Sequence, residues 1–419
     1  MSTPPALVRR LGLADAVFIG LGSMIGAGVF SAFAPAAAVA GTGLLIGLVI
    51  AAVVAFCNAT SSAQLAAAYP TSGGTYAYGR AELGPWWGFI AGWCFVIGKL
   101  ASCAAMALTF AAYTAPPGWE RPVAILAVVA LVTVNYFGVT RTAQLTRVIV
   151  VLVLLTLAVV VAAGAAAGPL PDWWSASSLT AAGAYGILQS GGLLFFAFAG
   201  YARIATMGEE VKDPRRTIPR AIVLALSMAI AVYAIVAITV LAVLGPEATA
   251  ASAEPLADAA AASGWGWTQP VVRVGAAAAS LGALLALIAG IGRTTLAMAR
   301  EDDLPRFLAA VHSRWHVPHR AELAIGAIVI VAVAFADLRG AIGFSSFGVL
   351  IYYFIANAAA WRQSPDARRY PRALQVLGLL GCTVLVVTLP LAAVLVGTGV
   401  VLVGVAYRLV RRRIARSPS

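Results

Sequence analysis

Three groups of residues in this chain have types and spacings that can do chemistry. The first is Gly20-Leu21-Gly22-Ser23-Met24-Ile25-Gly26-Ala27-Gly28. Each glycine costs a helix interior about 1 kcal/mol relative to alanine, so this run fits a continuous helix poorly. Two readings stand side by side. Gly22 and Gly26 form a GxxxG that lets a neighbouring helix approach, or the helix unwinds and its free N–H groups form a site for an anion such as a carboxylate. The second group is a single cation, Lys99, inside the apolar stretch 85–113. At the centre of a bilayer helix a charge costs about 2.5–3.5 kcal/mol on insertion scales. Lys99 lies about 14 residues, roughly 20 Å, from either end of the stretch, too far to snorkel with ease. It is therefore expected to face the interior, where it can pair with backbone carbonyls of a break in the first span or with a ligand, and exchange a proton. The third group is Glu209, Glu210, Asp213, Arg215 and Arg216. Paired carboxylates can do acid–base work, but these alternate with cations and are flanked by Pro214 and Pro219. They read as a salt-bridged gate in a loop entering the next helix.

Other clusters carry less. Glu301-Asp302-Asp303 with His312, His316 and His319 has no HExxH or comparable metal spacing and reads as a solvated helical loop. Cys57, Cys94, Cys103 and Cys382 all sit in apolar runs without a CxxC, as small buried hydrophobes. Asn135, Gln189 and Asn357 are expected to hydrogen-bond between helices. No metal and no cofactor is expected, and no nucleophile–base pair marks an enzyme.

The elements that must position these residues follow from composition. The chain has 419 residues, 61% hydrophobic and 11% charged. Water-soluble domains carry about 25% charged residues, and disorder needs low hydrophobicity, so both classes are excluded. The expected fold is an all-α polytopic membrane protein. Bilayer spans of about 20 apolar residues are placed at 16–39, 43–69, 85–113, 122–137, 148–167, 185–205, 218–244, 271–293, 321–336, 342–361, 373–389 and 391–406. That makes twelve spans in one transmembrane domain, residues 1–406, with a basic tail at 407–419. Residues 7–15 are read as a short amphipathic surface helix.

The net charge of +12 invites a nucleic-acid reading, which its distribution removes. With the N-terminus inside, only Arg121, Arg273 and Arg339 fall on the outside and only Lys99 lies well inside a span. The remaining Lys and Arg lie on the cytoplasmic side, as positive-inside topology requires. Both termini are then cytoplasmic, and the arginines face the anionic leaflet of the cytoplasmic (inner) membrane.

The first span carries the glycine run, and the sixth carries Phe195-Phe196-Ala197-Phe198-Ala199-Gly200-Tyr201. These are equivalent positions if 16–167 and 185–361 are two five-span repeats. Interrupted helices at matching places of two halves point to a transport site. An odd number of spans per half gives the halves opposite topology, with 373–406 supplying two additional spans.

Four blocks, GLGSMIGAGVF (20–30), YPTSGGTYAYGRAELGPWWGFIAGW (69–93), FFAFAGYARIATMGEEVKDPRRTIPRAI (195–222) and RTTLAMAREDDLPRFLAAVHSRWHVPHRA (293–321), resemble the amino acid–polyamine–organocation permeases. The third is the most specific, through its Glu-Glu-Val-x-Asp-Pro run after an aromatic span. The resemblance implies a five-plus-five inverted-repeat fold with two extra C-terminal spans. It implies secondary transport of an amino acid or related amine by alternating access, through proton symport or exchange. Substrate would bind at the unwound parts of spans 1 and 6. The carboxylate site falls on Ile25, Gly26, Ala27 and Gly28, and the amine site on Ser23, Met24, Phe196, Ala197 and Ala199. Phe198 and Tyr201 would shape or gate the pocket, or else serve ordinary packing. Some proton-coupled relatives carry a lysine in span 5, where this chain has Val153, and Ala279-Ser280 offers little to a sodium ion. Lys99 is the substitute candidate for coupling.

The expected partners are a small-molecule substrate, the bilayer and protons, without nucleic acid. The rivals are a permease of the same fold for polyamines, organic cations or nucleobase-like solutes, and a non-transporting amino-acid receptor.

Overall fold

A computed structural model of the chain describes residues 10–69, 73–138, 143–168, 175–207 and 210–414. Among these residues all regular structure is helical, apart from an isolated bridge pairing Leu11 with Val211. The helices are α1 (Leu13–Met24), α2 (Ala27–Ser31), α3 (Phe33–Ala40), α4 (Leu44–Ala68), α5 (Gly74–Leu83) and α6 (Pro85–Thr114). There follow α7 (Glu120–Tyr136), α8 (Ala143–Ala166), α9 (Ala176–Thr180), α10 (Gly183–Phe198), α11 (Ala202–Ala205) and α12 (Pro214–Ala251). The last are α13 (Pro255–Ala262), α14 (Gln269–Arg300), α15 (His319–Phe335), α16 (Leu338–Arg362), α17 (Arg372–Thr388) and α18 (Leu391–Ile414).

Eight helical stretches are long and apolar enough to cross a bilayer, which makes this a multi-pass membrane protein. The other four expected spans form α7, α10, α15 and α17, of 16 or 17 residues each. At 1.5 Å per residue these are about 25 Å long, short of a hydrocarbon core of about 30 Å. For α10 the cause is local, because the helix stops at Phe198 where the chain leaves helical geometry. The helix of span 7 begins earlier than a loop reading of Pro214 allows. Pro214 occupies its first turn, where a missing N–H costs nothing, and Gly245 (φ 75°) interrupts it at the far end.

α4 packs on α10, α3 on α12, α6 on α16 and α8 on α14. Small residues bring these backbones together. A Cβ on Gly348 would lie 2.7 Å from the Cys94 carbonyl oxygen, so only glycine lets α16 meet α6 there. The polar residues inside the bundle bond across helices. Asn357 Nδ2 donates to Asn58 Oδ1 (2.6 Å), Gln189 Nε2 to the Thr388 carbonyl (3.0 Å) and Asn135 Nδ2 to the Leu285 carbonyl (3.2 Å). All four cysteines are free and buried.

Two expectations at the helix ends need correction. Residues 1–9 lie outside the described residues, and Arg10 to Gly12 is not helical. Arg10 and Leu11 N–H donate to the Glu210 carbonyl (3.0 and 3.1 Å), and Lys212 N–H donates to the Leu11 carbonyl (2.9 Å). The start of the chain is thus laced to the segment after α11, where backbone pairing replaces the expected surface helix. The Glu301-Asp302-Asp303 cluster is only partly solvated. Asp303 is buried and takes Arg80 (2.9 Å) and Arg408 (3.2 Å), joining the ends of α5, α14 and α18. Tyr76 Oη donates to the same carboxylate (2.9 Å), and burial together with that negative charge pushes its phenol well up. Asp302 stays exposed, its carboxyl held below the usual range by its hydrogen bond to Arg306.

Candidate functional site

The first membrane helix breaks at Ile25 (φ −78°, ψ 45°) and Gly26 (φ −89°, ψ −138°), between α1 and α2. The second break follows α10: Ala199 (φ −65°, ψ 4°), Gly200 and Tyr201 separate it from α11. The breaks touch, since a Cβ on Gly200 would collide with the Ser23 carbonyl. Both readings of the glycine run hold together. The backbone does unwind, and its glycines also serve close packing: Cβ atoms on Gly26 and Gly28 would lie 2.8 Å from Ala283 Cβ and 2.7 Å from Ala197 Cα.

Carbonyls released by a break inside a bilayer must find donors within the protein. Here three side chains from other helices supply them. Tyr233 on α12 donates to the Met24 carbonyl (2.6 Å) and the Ala197 carbonyl (3.0 Å), bridging the two breaks with one hydroxyl. Lys99 on α6 donates from Nζ to the Ala199 carbonyl (3.1 Å). Tyr353 on α16 reaches the same oxygen at 3.5 Å. Lys99 is 6% exposed and has no carboxylate partner among the described residues. It faces inward as its depth requires, but its carbonyl belongs to the second break.

A cavity of about 80 Å³ runs beside both breaks. Ser23, Lys99, Phe196, Ala199 and Gly200 line it, with Arg203, Thr206, Arg293 and Thr294 toward one end. A second cavity of about 140 Å³ shares Ser23, Arg203 and Arg293 and adds Glu210. Arg293 is half-exposed and lies 3.9 Å from the Glu210 carboxylate, which places the mouth at that end. Larger hollows of about 740 and 610 Å³ are apolar grooves on the outer faces of helices, without a charged side chain, and a bilayer fills such surfaces with lipid.

The structure brings Ser23, Phe196, Ala199 and Lys99 to the cavity wall. Met24, Ile25, Gly26, Ala27, Gly28 and Ala197 lie behind that wall, buried in helix contacts. Phe198 and Tyr201 are fully buried and turn away, Phe198 onto Tyr233 (5.0 Å between ring centroids) and Tyr201 onto Tyr353 (5.0 Å, stacked). Of the gate residues, Glu209 lies outside the described residues and Glu210 pairs with Arg293. Asp213 and Arg216 pair with each other on the surface, at 3.9 Å. Arg215 is exposed, and its carbonyl accepts from Arg369. Sequence reasoning missed Tyr233 and Tyr353, whose signal was a tyrosine in mid-span. It also missed Arg203 and Arg293, which count there only toward the positive charge of the cytoplasmic side.

The family model described as amino acid permease matches residues 11–408. An uncharacterized transporter of Mycobacterium tuberculosis is 59% identical over 413 residues, covering 99% of this chain and 93% of its own. The branched-chain amino acid permease BcaP of Bacillus subtilis is 25% identical over 400 residues (89% of this chain, 85% of its own). The chloroplastic cationic amino acid transporter 7 of Arabidopsis thaliana is 27% identical over 384 residues (85% and 65%).

Proposed function

From the premise that the chain belongs to the amino acid permease family, among the amino acid–polyamine–organocation permeases, we propose that it is a secondary transporter carrying an amino acid across the cytoplasmic membrane by alternating access. The observation that carries this reading is the cavity lined by Ala199 and Gly200 of the second break and by Ser23, next to the first. Peptide groups at a break give a zwitterion polar partners without an ionised side chain from the break itself, which that depth penalises. The cavity opens at the Arg203 and Arg293 end, read as cytoplasmic. At the other end Gly26 and Gly28 are packed against Ala283 and Ala197. This is the inward-facing stage of the cycle. In it the expected carboxylate amides of Ile25 to Gly28 stand behind the cavity wall, and they join the site as α1 and α2 shift against α10 and α14.

The twelve-span inverted-repeat layout is part of the proposal, with repeats at 16–167 and 185–361 and extra spans at 373–406. Two pairs of packings support it. Exchanging each span with its counterpart five spans on converts the α4–α10 contact into the α12–α3 contact, and α6–α16 into α14–α8. The Glu210–Arg293 pair at the mouth is assigned to the cytoplasmic gate. Lys99 is assigned to coupling, because it ties α6 to the carbonyl of the second break and any proton it exchanges alters that tie.

Uptake of labelled solutes by the purified protein in liposomes tests the reading. Relatives are named for branched-chain and for cationic amino acids, so both classes belong in the panel, with their decarboxylated amines. Saturable uptake of an amino acid but not its amine is expected. Tight binding with no uptake favours a receptor, and uptake of the amine alone favours an organic-cation permease.

A further inference from the structure

The cavity beside the breaks has an unbalanced charge. Three cations line it, Lys99, Arg203 and Arg293, and among the described residues no carboxylate does. Two carboxylates of the described residues stand close by, outside the wall. Glu210 is 3.9 Å from Arg293 in the adjoining cavity, and Glu322 on α15 is buried behind Gly292, on the Arg293 side of α14. Neither forms an ion pair with Lys99 or Arg203 among the described residues.

Three of the carbonyls a cationic cargo would use already accept a side-chain donor. The Met24 and Ala197 carbonyls accept from Tyr233. The Ala199 carbonyl, where the family resemblance puts a substrate amine, already holds the ammonium of Lys99 at 3.1 Å. An ammonium has three N–H donors, and one bond to Ala199 leaves donors to meet a ligand.

We infer that this cavity selects cargo by negative charge: a carboxylate of the cargo meets Lys99 Nζ, with Arg203 and Arg293 drawing anions in at the mouth and repelling cationic solutes. The cargo class is then an amino acid with an acidic side chain, or a similarly small carboxylate with net negative charge. Zwitterions with apolar side chains follow, and arginine, lysine and polyamines are excluded. Like charges within a few ångströms, away from bulk water, discriminate by at least about tenfold. The inference rests on the permease reading.

Labelled glutamate, leucine, arginine and putrescine offered separately to the full-length protein in liposomes test it, with thermal stabilisation in detergent measured for the same four. Glutamate uptake is expected to lead, with arginine and putrescine at least about tenfold lower. Lys99→Gln should reduce the preference for glutamate over leucine about tenfold, and Lys99→Arg should retain it. If Lys99→Gln does not fold, Arg203→Gln should still raise arginine uptake relative to glutamate. Arginine or putrescine taken up as fast as glutamate, or leucine taken up faster, overturns the charge inference and leaves the permease reading standing. Stabilisation by glutamate alone without any uptake supports the charge inference and removes the permease reading. No uptake and no stabilisation by any of the four overturns both.

Discussion

Replacing Tyr233 by phenylalanine isolates the bond that bridges the two helix breaks. The ring and its contact with Phe198 remain, and only the hydroxyl is lost. That hydroxyl lies 2.6 Å from the Met24 carbonyl and 3.0 Å from the Ala197 carbonyl, on a side chain 1% exposed. The site is buried away from bulk solvent, so the carbonyls lose their donor in a low-dielectric interior. A buried group stripped of its partner costs about 1–3 kcal/mol. One proton shared between two oxygens makes about one bond in all, so the expected loss is about 1–3 kcal/mol. Unfolding in mixed micelles, followed by tryptophan fluorescence, measures it. Tyr185→Phe, on an exposed tyrosine, is the control and should stay within about 0.5 kcal/mol of the parent. A Tyr233→Phe protein as stable as that control, with unaltered uptake, would refute the view that the freed carbonyls depend on this donor.

Other perturbations follow from the same packing. Gly200→Ala drives a methyl into the Ser23 carbonyl, and should abolish uptake in a protein that still inserts into the membrane; parental uptake rates would contradict the contact between the breaks. Gly26→Leu, against Ala283, should abolish substrate binding in the same way, read by thermal stabilisation with cargo. Asp303→Asn leaves buried Arg408 without its carboxylate and should lower unfolding stability by about 3–5 kcal/mol, with no effect expected if the pair is solvated. Lys99→Ala should flatten the pH dependence of uptake or exchange; an unchanged profile removes Lys99 from coupling.

Most of the span order was legible because a bilayer imposes one strong rule on composition, a run of apolar residues bounded by charges. The break at Ile25-Gly26 was legible for a different reason, since glycines so dense fit a straight helix poorly. The depth of Lys99 told that it points inward. Its partner was not readable, because the Ala199 carbonyl is 100 residues away along the chain and only tertiary packing brings it near. The same holds for Tyr233, 209 residues from Met24. The orientation of Tyr201 was opaque because a break resets helical phase, so the periodicity of α10 does not carry past Phe198. Asp303 was misread as solvated because its burial depends on Arg408, on the last helix.

The most direct test of the central claim is a structure of the protein with its transported solute bound. The account predicts the solute between the two breaks, within hydrogen-bonding reach of Ser23, Ala199 or Lys99. A solute seated elsewhere, with the cavity beside Gly200 empty or closed by a straightened helix, would contradict it.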